Sequence, residues 1–357
     1  MDPWLLGALV VLLGIGITMV LNTSYLFAQE RFGDGTYLFR KQLMAIGVGA
    51  VGFTGAVLLK PSSYRYLAYP LLILTAICLA LVLVPGIGVV RGGARRWLDL
   101  GPVTFQPAEL AKLSFVLYLA HSLAKKTEKV DTFSYGLLPH LLIAGVFLAL
   151  MLAEPDFGST LILAAITVAM LFVAGGKVSH LLTIGLAGLP VVAFLLLRAD
   201  YRVKRLMTFL DPWSDAANSG FQIIQSYIAF GSGQFWGRGL GQSRQKLLYL
   251  PEAHTDFIYS VIGEELGLWG ALIVLGLFGI ILYRGLRLAL KSEEAFPQLL
   301  AFGLTTLLGL QALIHMSVVM GLVPTKGLVL PFVSYGGSAM VVNLAVAGML
   351  LGVSRRT

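Results

Sequence analysis

Charge is scarce in this chain. Only 12% of its 357 residues are Asp, Glu, Lys or Arg, about half the share of an ordinary soluble domain. Cysteine is rarer still: Cys78 stands alone in an apolar run, which excludes an intramolecular disulfide, a CxxC redox pair and a thiolate metal site. No HExxH, Walker or dinucleotide fingerprint is present. The glycine-rich string GSGQFWGRGLGQ at 231–242 lacks the strand-turn-helix setting of a nucleotide loop, so no nucleotide is expected. Basic runs interleaved with aromatics are also missing, so the net charge of +8 is not expected to serve nucleic acid. The opening MDPWLLGALV has no basic n-region and is expected to be a retained first span rather than a signal peptide.

What the chain has instead is hydrophobicity. Hydrophobic residues make up 57% of it, and the mean hydropathy is +0.84. An integral membrane protein is implied. Unpaired charge in hydrocarbon is costly, so uncharged runs of about 18 or more residues mark candidate spans. Nine such runs occur, at 3–29, 42–59, 66–90, 132–153, 157–176, 178–197, 266–283, 295–325 and 327–354. A tenth is hidden. Residues 113–124 are too short to cross, so that helix must begin near Phe105 and carry Glu109 and Lys112 inward, with Pro107 suited to its first turn.

Ten spans put both termini on one side, and the positive-inside rule selects the cytoplasm. The inner segments then hold Lys60, Arg65, Lys125, Lys126, Lys129, Lys177, Arg284, Arg287, Lys291, Arg355 and Arg356. The short outer loops hold fewer, namely Arg31, Arg40, Lys41, Arg91, Arg95, Arg96 and Lys326. The expected fold is an all-α polytopic membrane protein, one integral membrane domain over 1–357. It has ten transmembrane helices, cytoplasmic termini and a long extracytoplasmic loop at 198–265 between the seventh and eighth helices.

The rare charges fall into few places. Glu109 and Lys112, spaced i, i+3, share a helix face; they are either a structural ion pair or a positive contribution to an anionic substrate's cavity. In EPDFG, Glu154 and Asp156 suit turn and capping roles as well as chemistry. Arg95, Arg96 and Trp97 form an interfacial anchor or a diphosphate site, and Lys326 is either a snorkelling cation or part of a site. Gln311 and His315 suit hydrogen bonding between helices. FQIIQSYIAF at 221–230 is amphipathic enough to lie along the interface, and the glycines after it are either turns or a phosphate cradle.

The densest acidic stretch is YLPEAHTDFIYSVIGEELG at 249–267, holding Glu252, His254, Asp256, Glu264 and Glu265. One histidine among scattered acids is weak support for a metal cage. Asp256, at the mouth of the eighth span and ionised at neutral pH if its pKa is ordinary, is the candidate proton acceptor or cation ligand.

Together with GARRWLDLGPVTFQPAELAKL, EPDFGST and GLVPTKGLVLPFVSYGGS, the string HTDFIYSVIGEELG makes the chain resemble the SEDS family of shape, elongation, division and sporulation proteins. That family includes RodA and FtsW, and QSRQKLLYLPEAHTDFI and PTKGL look closer to its FtsW and sporulation branch. The resemblance implies a peptidoglycan glycosyltransferase polymerising lipid II at the outer face of the bacterial cytoplasmic membrane, with a class B penicillin-binding protein as partner. It implies dependence on a divalent cation, Mg²⁺ or Mn²⁺. It places the catalytic aspartate at Asp256 and the charged pair at Glu109 and Lys112. Arg95, Arg96, Asp156, His254 and Lys326 join them as candidate substrate contacts. Two other classes compete: a lipid II flippase, and a scaffold that only docks a partner. Charges clustered at outer span ends, rather than at the midplane, favour an outward-facing enzyme.

Overall fold

Long apolar runs leave the backbone no solvent partner within a bilayer, so they are satisfied as helices. The computed structural model, which describes residues 1–91, 93–99, 101, 103–125, 130–197 and 200–355, is accordingly mostly helical. Helix α1 (Pro3–Phe32) starts at a capping Asp2 whose Oδ1 accepts from the N–H groups of Trp4 and Leu5, both at 3.1 Å, with proline at its first position. Then come α2 (Tyr37–Leu58), a 3₁₀ turn (Pro61–Leu67) and α3 (Ala68–Leu83). The second half of the bundle contains α4 (Pro107–Ala124), α5 (Leu138–Ala153), α6 (Phe157–Val173), α7 (Val178–Leu197), α10 (Ile258–Lys291), α11 (Ala295–Val319) and α12 (Gly337–Ser354).

Among the described residues, seven helical segments are long and apolar enough to cross a membrane, and Phe157–Val173 and Val178–Pro190 are shorter apolar helices. Helix α4 starts at Pro107 and carries Glu109 and Lys112 in its first two turns. It is buried almost all round, against α3, α6, α11 and α12, which is why its charged residues must pair. At the opposite end of the bundle the chain termini meet: Asp2 N–H donates to Ser354 Oγ at 3.1 Å, and Arg284 Nε donates to Asp2 Oδ2 at 2.6 Å.

Several expectations change. The chain is not all-α, because 66–90 gives up its helix at Leu83 and a three-stranded antiparallel sheet follows: β1 (Gly88–Arg91), β2 (Ala94–Asp99) and β3 (Thr104–Phe105). Valines and paired arginines around a glycine turn suit a hairpin better than a buried helix. The run 327–354 also loses its first third. Residues 321–336 contain no α-helix and fold back into the protein. Gln42 closes part of that segment, accepting from Gly336 N–H and donating to Ser334 O, both at 3.2 Å. His315 Nδ1 pairs with Leu328 O at 2.6 Å. Irregular backbone at such a place is tolerated because protein groups satisfy it.

The expected loop 198–265 is structured as well. It holds α8 (Asp200–Leu210) and α9 (Phe221–Gly233), and α9 packs on α10. Helix α10 bends at Gly267, whose φ of 66° only glycine adopts readily. A β-carbon there would come within 2.4 Å of Gly237 N, so two glycines are needed where the chain crosses itself. Lys126, Lys129 and Arg356, counted above for orientation, lie outside the described residues.

Candidate functional site

Asp256 sits on a turn built by Glu252, whose φ of 56° is unusual for a side chain of this kind. The Glu252 carbonyl accepts from the N–H groups of Thr255 and Asp256 at 3.1 Å and of Phe257 at 3.3 Å. The turn is clasped by the folded-back segment: Tyr335 N–H donates to His254 O at 2.9 Å and Ser334 Oγ to Thr255 O at 2.7 Å. Gly327 presses its backbone against the Asp256 carboxylate, since a β-carbon there would stand 2.9 Å from Oδ2.

Although its side chain keeps partial exposure, Asp256 is enclosed by enough protein for desolvation to dominate. Burial first, then the Glu252 charge, pushes its pKa up to about 7, against the opposing pull of Arg96 and Arg205. The ordinary, fully ionised aspartate expected from sequence is therefore corrected to one poised near neutrality, where a general base is most effective. His254 is buried between Phe27 and Tyr335, with ring centroids 4.9 and 5.7 Å away, and burial holds its pKa below the usual value.

Beside this turn lies the α5–α6 corner. Arg96 Nε donates to Glu154 O at 3.1 Å, and its guanidinium also binds Pro155 O. The Glu154 carboxyl is fully buried, and neither oxygen has a hydrogen-bond partner among the described residues. Desolvation, then Asp156, pushes its pKa up to about 8, with Arg96 opposing. Asp156 caps α6, accepting from Ser159 N–H at 3.0 Å. Lys326 Nζ lies 4.8 Å over the Phe157 ring; burial and Arg205 hold its pKa down while Asp156 supports its charge.

Arg95 turns elsewhere. Its Nη1 donates to Leu83 O at 3.2 Å, its stem lies against Gly88, and it thereby caps the end of α3. Lys112 and Glu109 pair at 2.7 Å in the buried start of α4, and Glu109 Oε2 has no hydrogen-bond partner among the described residues. Asp256, Asp156, Arg96 and Lys326 thus share one neighbourhood at one end of the bundle. The Glu109–Lys112 pair stands apart on α4, with no hydrogen bond or ion pair to Asp256 among the described residues.

Glu264 and Glu265 supply a different chemistry from Asp256. Both are fully buried. Glu265 accepts from Gly241 N–H at 3.0 Å and Ser243 N–H at 3.1 Å and pairs with Lys246 Nζ at 2.9 Å; Asn22 donates to it from α1. Glu264 accepts from the N–H groups of Arg244 and Gln245 at 3.0 and 3.3 Å and from Ser243 Oγ. The N–H groups of Gly241 at the end of the glycine-rich segment and of Ser243, Arg244 and Gln245 after it are thus directed at these two carboxyl side chains.

Sequence reasoning missed Arg202 and Arg205. They lie in DYRVKRLMTFL of α8, inside a stretch too long for the charge rule, and a basic amphipathic pattern was the signal available. No three His, Cys, Asp or Glu side chains converge on a metal site among the described residues. The Glu252 carboxylate beside Asp256 is a hard oxygen donor of the kind that suits a Mg²⁺-like ion.

The family model described as "Cell cycle protein", covering FtsW, RodA and SpoVE, matches residues 3–357. A "Probable peptidoglycan glycosyltransferase FtsW" of Geobacter sp. (strain M18) is 44% identical over 355 residues, covering 99% of this chain and 97% of the relative. A solved structure described as "Structural coordination of polymerization and crosslinking by a peptidoglycan synthase complex" is similar with a TM-score of 0.80 and 31% identity. It covers 99% of this chain and 97% of that one. The crystal structure of the Rod shape determining protein RodA of Thermus thermophilus is similar with a TM-score of 0.74 and 29% identity, covering 99% of this chain and 96% of that one.

Proposed function

The chain belongs to the FtsW/RodA/SpoVE family of cell cycle proteins, and on that premise we propose that it is a peptidoglycan glycosyltransferase polymerising lipid II. Asp256 carries this reading: a carboxyl poised near neutral pH, held between two clasped segments, with arginine fields reaching it. In the reaction an acceptor sugar hydroxyl attacks the donor's anomeric carbon, inverting an α linkage to a β-1,4 bond. Asp256 takes the hydroxyl proton as the new C–O bond forms. The lipid diphosphate departs with the electron pair of the broken bond. Diphosphate is a good leaving group, so the second, protonated acid that glycosidases use is dispensable. General base action accounts for roughly 10² to 10⁴ in rate.

Glu252, beside Asp256, is the residue that would help hold a Mg²⁺ or Mn²⁺ ion, leaving the Asp256 carboxylate free to take the proton. When bound, the ion supplies charge neutralisation for the departing diphosphate. The chain crosses the bacterial cytoplasmic membrane ten times, through α1 to α7 and α10 to α12, with the termini cytoplasmic and Asp256 outward. The meeting of Asp2 with Ser354 supports an even number of crossings. The segment from α8 through the Asp256 turn is then extracytoplasmic, between the seventh and eighth crossings. A class B penicillin-binding protein is the partner, supported by the similarity to a peptidoglycan synthase complex.

A flippase is less favoured, because Asp256, Asp156 and Lys326 gather at one end of the bundle rather than midway along it. Purified Asp256→Asn protein given lipid II with Mg²⁺ or Mn²⁺ should make no glycan strands, while wild type makes polymer that chelator suppresses. Near-normal polymerisation by the variant removes Asp256 from the chemistry.

A further inference from the structure

The segment that carries Gly327 is gripped from several sides. Its far end is tied to the Asp256 turn, where Ser334 Oγ donates to Thr255 O and Tyr335 N–H donates to His254 O. Its near end is held from inside the bundle. His315 of α11 is 1% exposed, and its Nδ1 lies 2.6 Å from Leu328 O. A carbonyl oxygen has no proton to give, so Nδ1 carries the hydrogen and donates it. The other ring nitrogen, Nε2, has no hydrogen-bond partner among the described residues. Among them, the buried ring makes one hydrogen bond, and that bond goes to the backbone beside Gly327.

Leu328 is fixed on its other flank as well. A β-carbon on Gly158, in the first turn of α6, would stand 2.9 Å from Leu328 Cδ2, so the leucine side chain fills the space that the glycine leaves. Leu328 is thus wedged between α11 and α6. One residue upstream, a β-carbon on Gly327 would stand 2.9 Å from Asp256 Oδ2. The peptide joining the two residues is planar and stiff, so a displacement at Leu328 O is passed to Gly327 with little loss. The backbone further along is irregular, with Phe332 at φ 65°, and such conformations persist only where their surroundings hold them.

We propose that His315 is a positioning residue for the transfer reaction: by holding Leu328 O it fixes the Gly327 backbone against Asp256, and so sets the place of the carboxylate relative to substrate. His315 itself touches no reacting atom. The inference rests on the polymerase reading above.

Its test uses full-length protein in nanodiscs, with lipid II and Mg²⁺ for rates and hydrogen exchange for the backbone. His315→Asn keeps an N–H donor at the δ position, His315→Gln carries its amide one bond further out, and His315→Leu has no donor. Turnover per folded molecule should fall roughly tenfold to a hundredfold in His315→Leu and His315→Gln, the scale of misplaced groups, while KM for lipid II changes less than about threefold. His315→Asn should recover most of the turnover. Amides of 327–335 and 252–257 should exchange roughly tenfold faster in the two variants that lose the bond, and near the wild-type rate in His315→Asn. Leu308→Ala opens a cavity elsewhere on α11, at a fully buried position. It should lower the melting temperature and leave turnover per folded molecule and exchange of both segments unchanged.

Turnover within about twofold of wild type in His315→Leu overturns the assignment, and so does equal behaviour of His315→Asn and His315→Gln. A loss carried by KM with kcat unchanged makes His315 a determinant of substrate binding and also overturns it, as does a matching loss of turnover in Leu308→Ala. Should His315→Leu fail to fold, the contrast between His315→Asn and His315→Gln decides alone. If wild type makes no glycan yet exchange at 327–335 and 252–257 follows the δ-position donor, the positioning stands and the polymerase reading fails. If wild type makes polymer and exchange is indifferent to His315, the positioning fails and the polymerase reading stands.

Discussion

Gly327 lies so close to Asp256 that a single added β-carbon would stand 2.9 Å from the carboxylate oxygen Oδ2. The Gly327 backbone and the Asp256 side chain thus fix each other's position. Gly327→Ala should move the carboxylate by a few tenths of an ångström while leaving the bundle folded. Polymerisation should fall roughly tenfold to a hundredfold, the scale of misplaced catalytic groups. Steady-state rates with lipid II, beside an unchanged melting temperature, check this.

The pH profile follows from the same carboxyl. Asp256 must be ionised to accept a proton, and burial raises its pKa to about 7. The rate should therefore drop tenfold per pH unit below about 7 and level off above it. Arg96 pulls that pKa down, so Arg96→Gln should carry the acidic limb to higher pH. A profile flat from pH 5 to 8 would contradict the assignment.

Glu154 makes a prediction about stability. Its pKa is raised from 4.5 to about 8, chiefly by desolvation, so the folded protein favours the protonated form. Sign follows directly: the cost of ionisation is absent below about 4.5, grows as pH rises, and is complete above about 8. Glu154→Gln removes that cost, which at about 1.4 kcal/mol per pKa unit is on the order of a few kcal/mol. Thermal unfolding in detergent should show the variant more stable than wild type at pH 8 and equal to it near pH 4.5.

Glu265 is buried within a hydrogen-bond network. It pairs with Lys246 and accepts from two backbone N–H groups and from Asn22 of α1. Glu265→Ala leaves those donors buried and unpaired, at a cost of about 3–5 kcal/mol. Limited proteolysis should then cut within 238–246, where wild type is protected.

The kink in α10 offers a backbone test. Gly267→Ala places a side chain at φ 66° and drives its β-carbon into Gly237 N and Phe235 O. The expected result is a clear loss of melting temperature, since positive φ and steric overlap act together.

The sequence by itself determined the membrane character, most helix positions and the identity of the scarce charges. Each of these follows from local rules: hydrocarbon excludes charge, and proline and aspartate start helices. Pro107 marked the start of α4, and the pairing of Glu109 with Lys112 was legible because i, i+3 spacing suffices. Tertiary structure alone decided the rest. The fold back of 321–336 onto the Asp256 turn joins segments about eighty residues apart, and no local pattern encodes that pairing. The same holds for the sheet that ended α3 and for Glu264 and Glu265, which bind backbone about twenty residues upstream. Asp256, Arg96, Arg205 and Lys326 come from four separate segments, and the shift of the Asp256 carboxyl toward neutrality arises from its burial and from Glu252, against the opposing pull of Arg96 and Arg205. Those quantities exist only once the chain has packed.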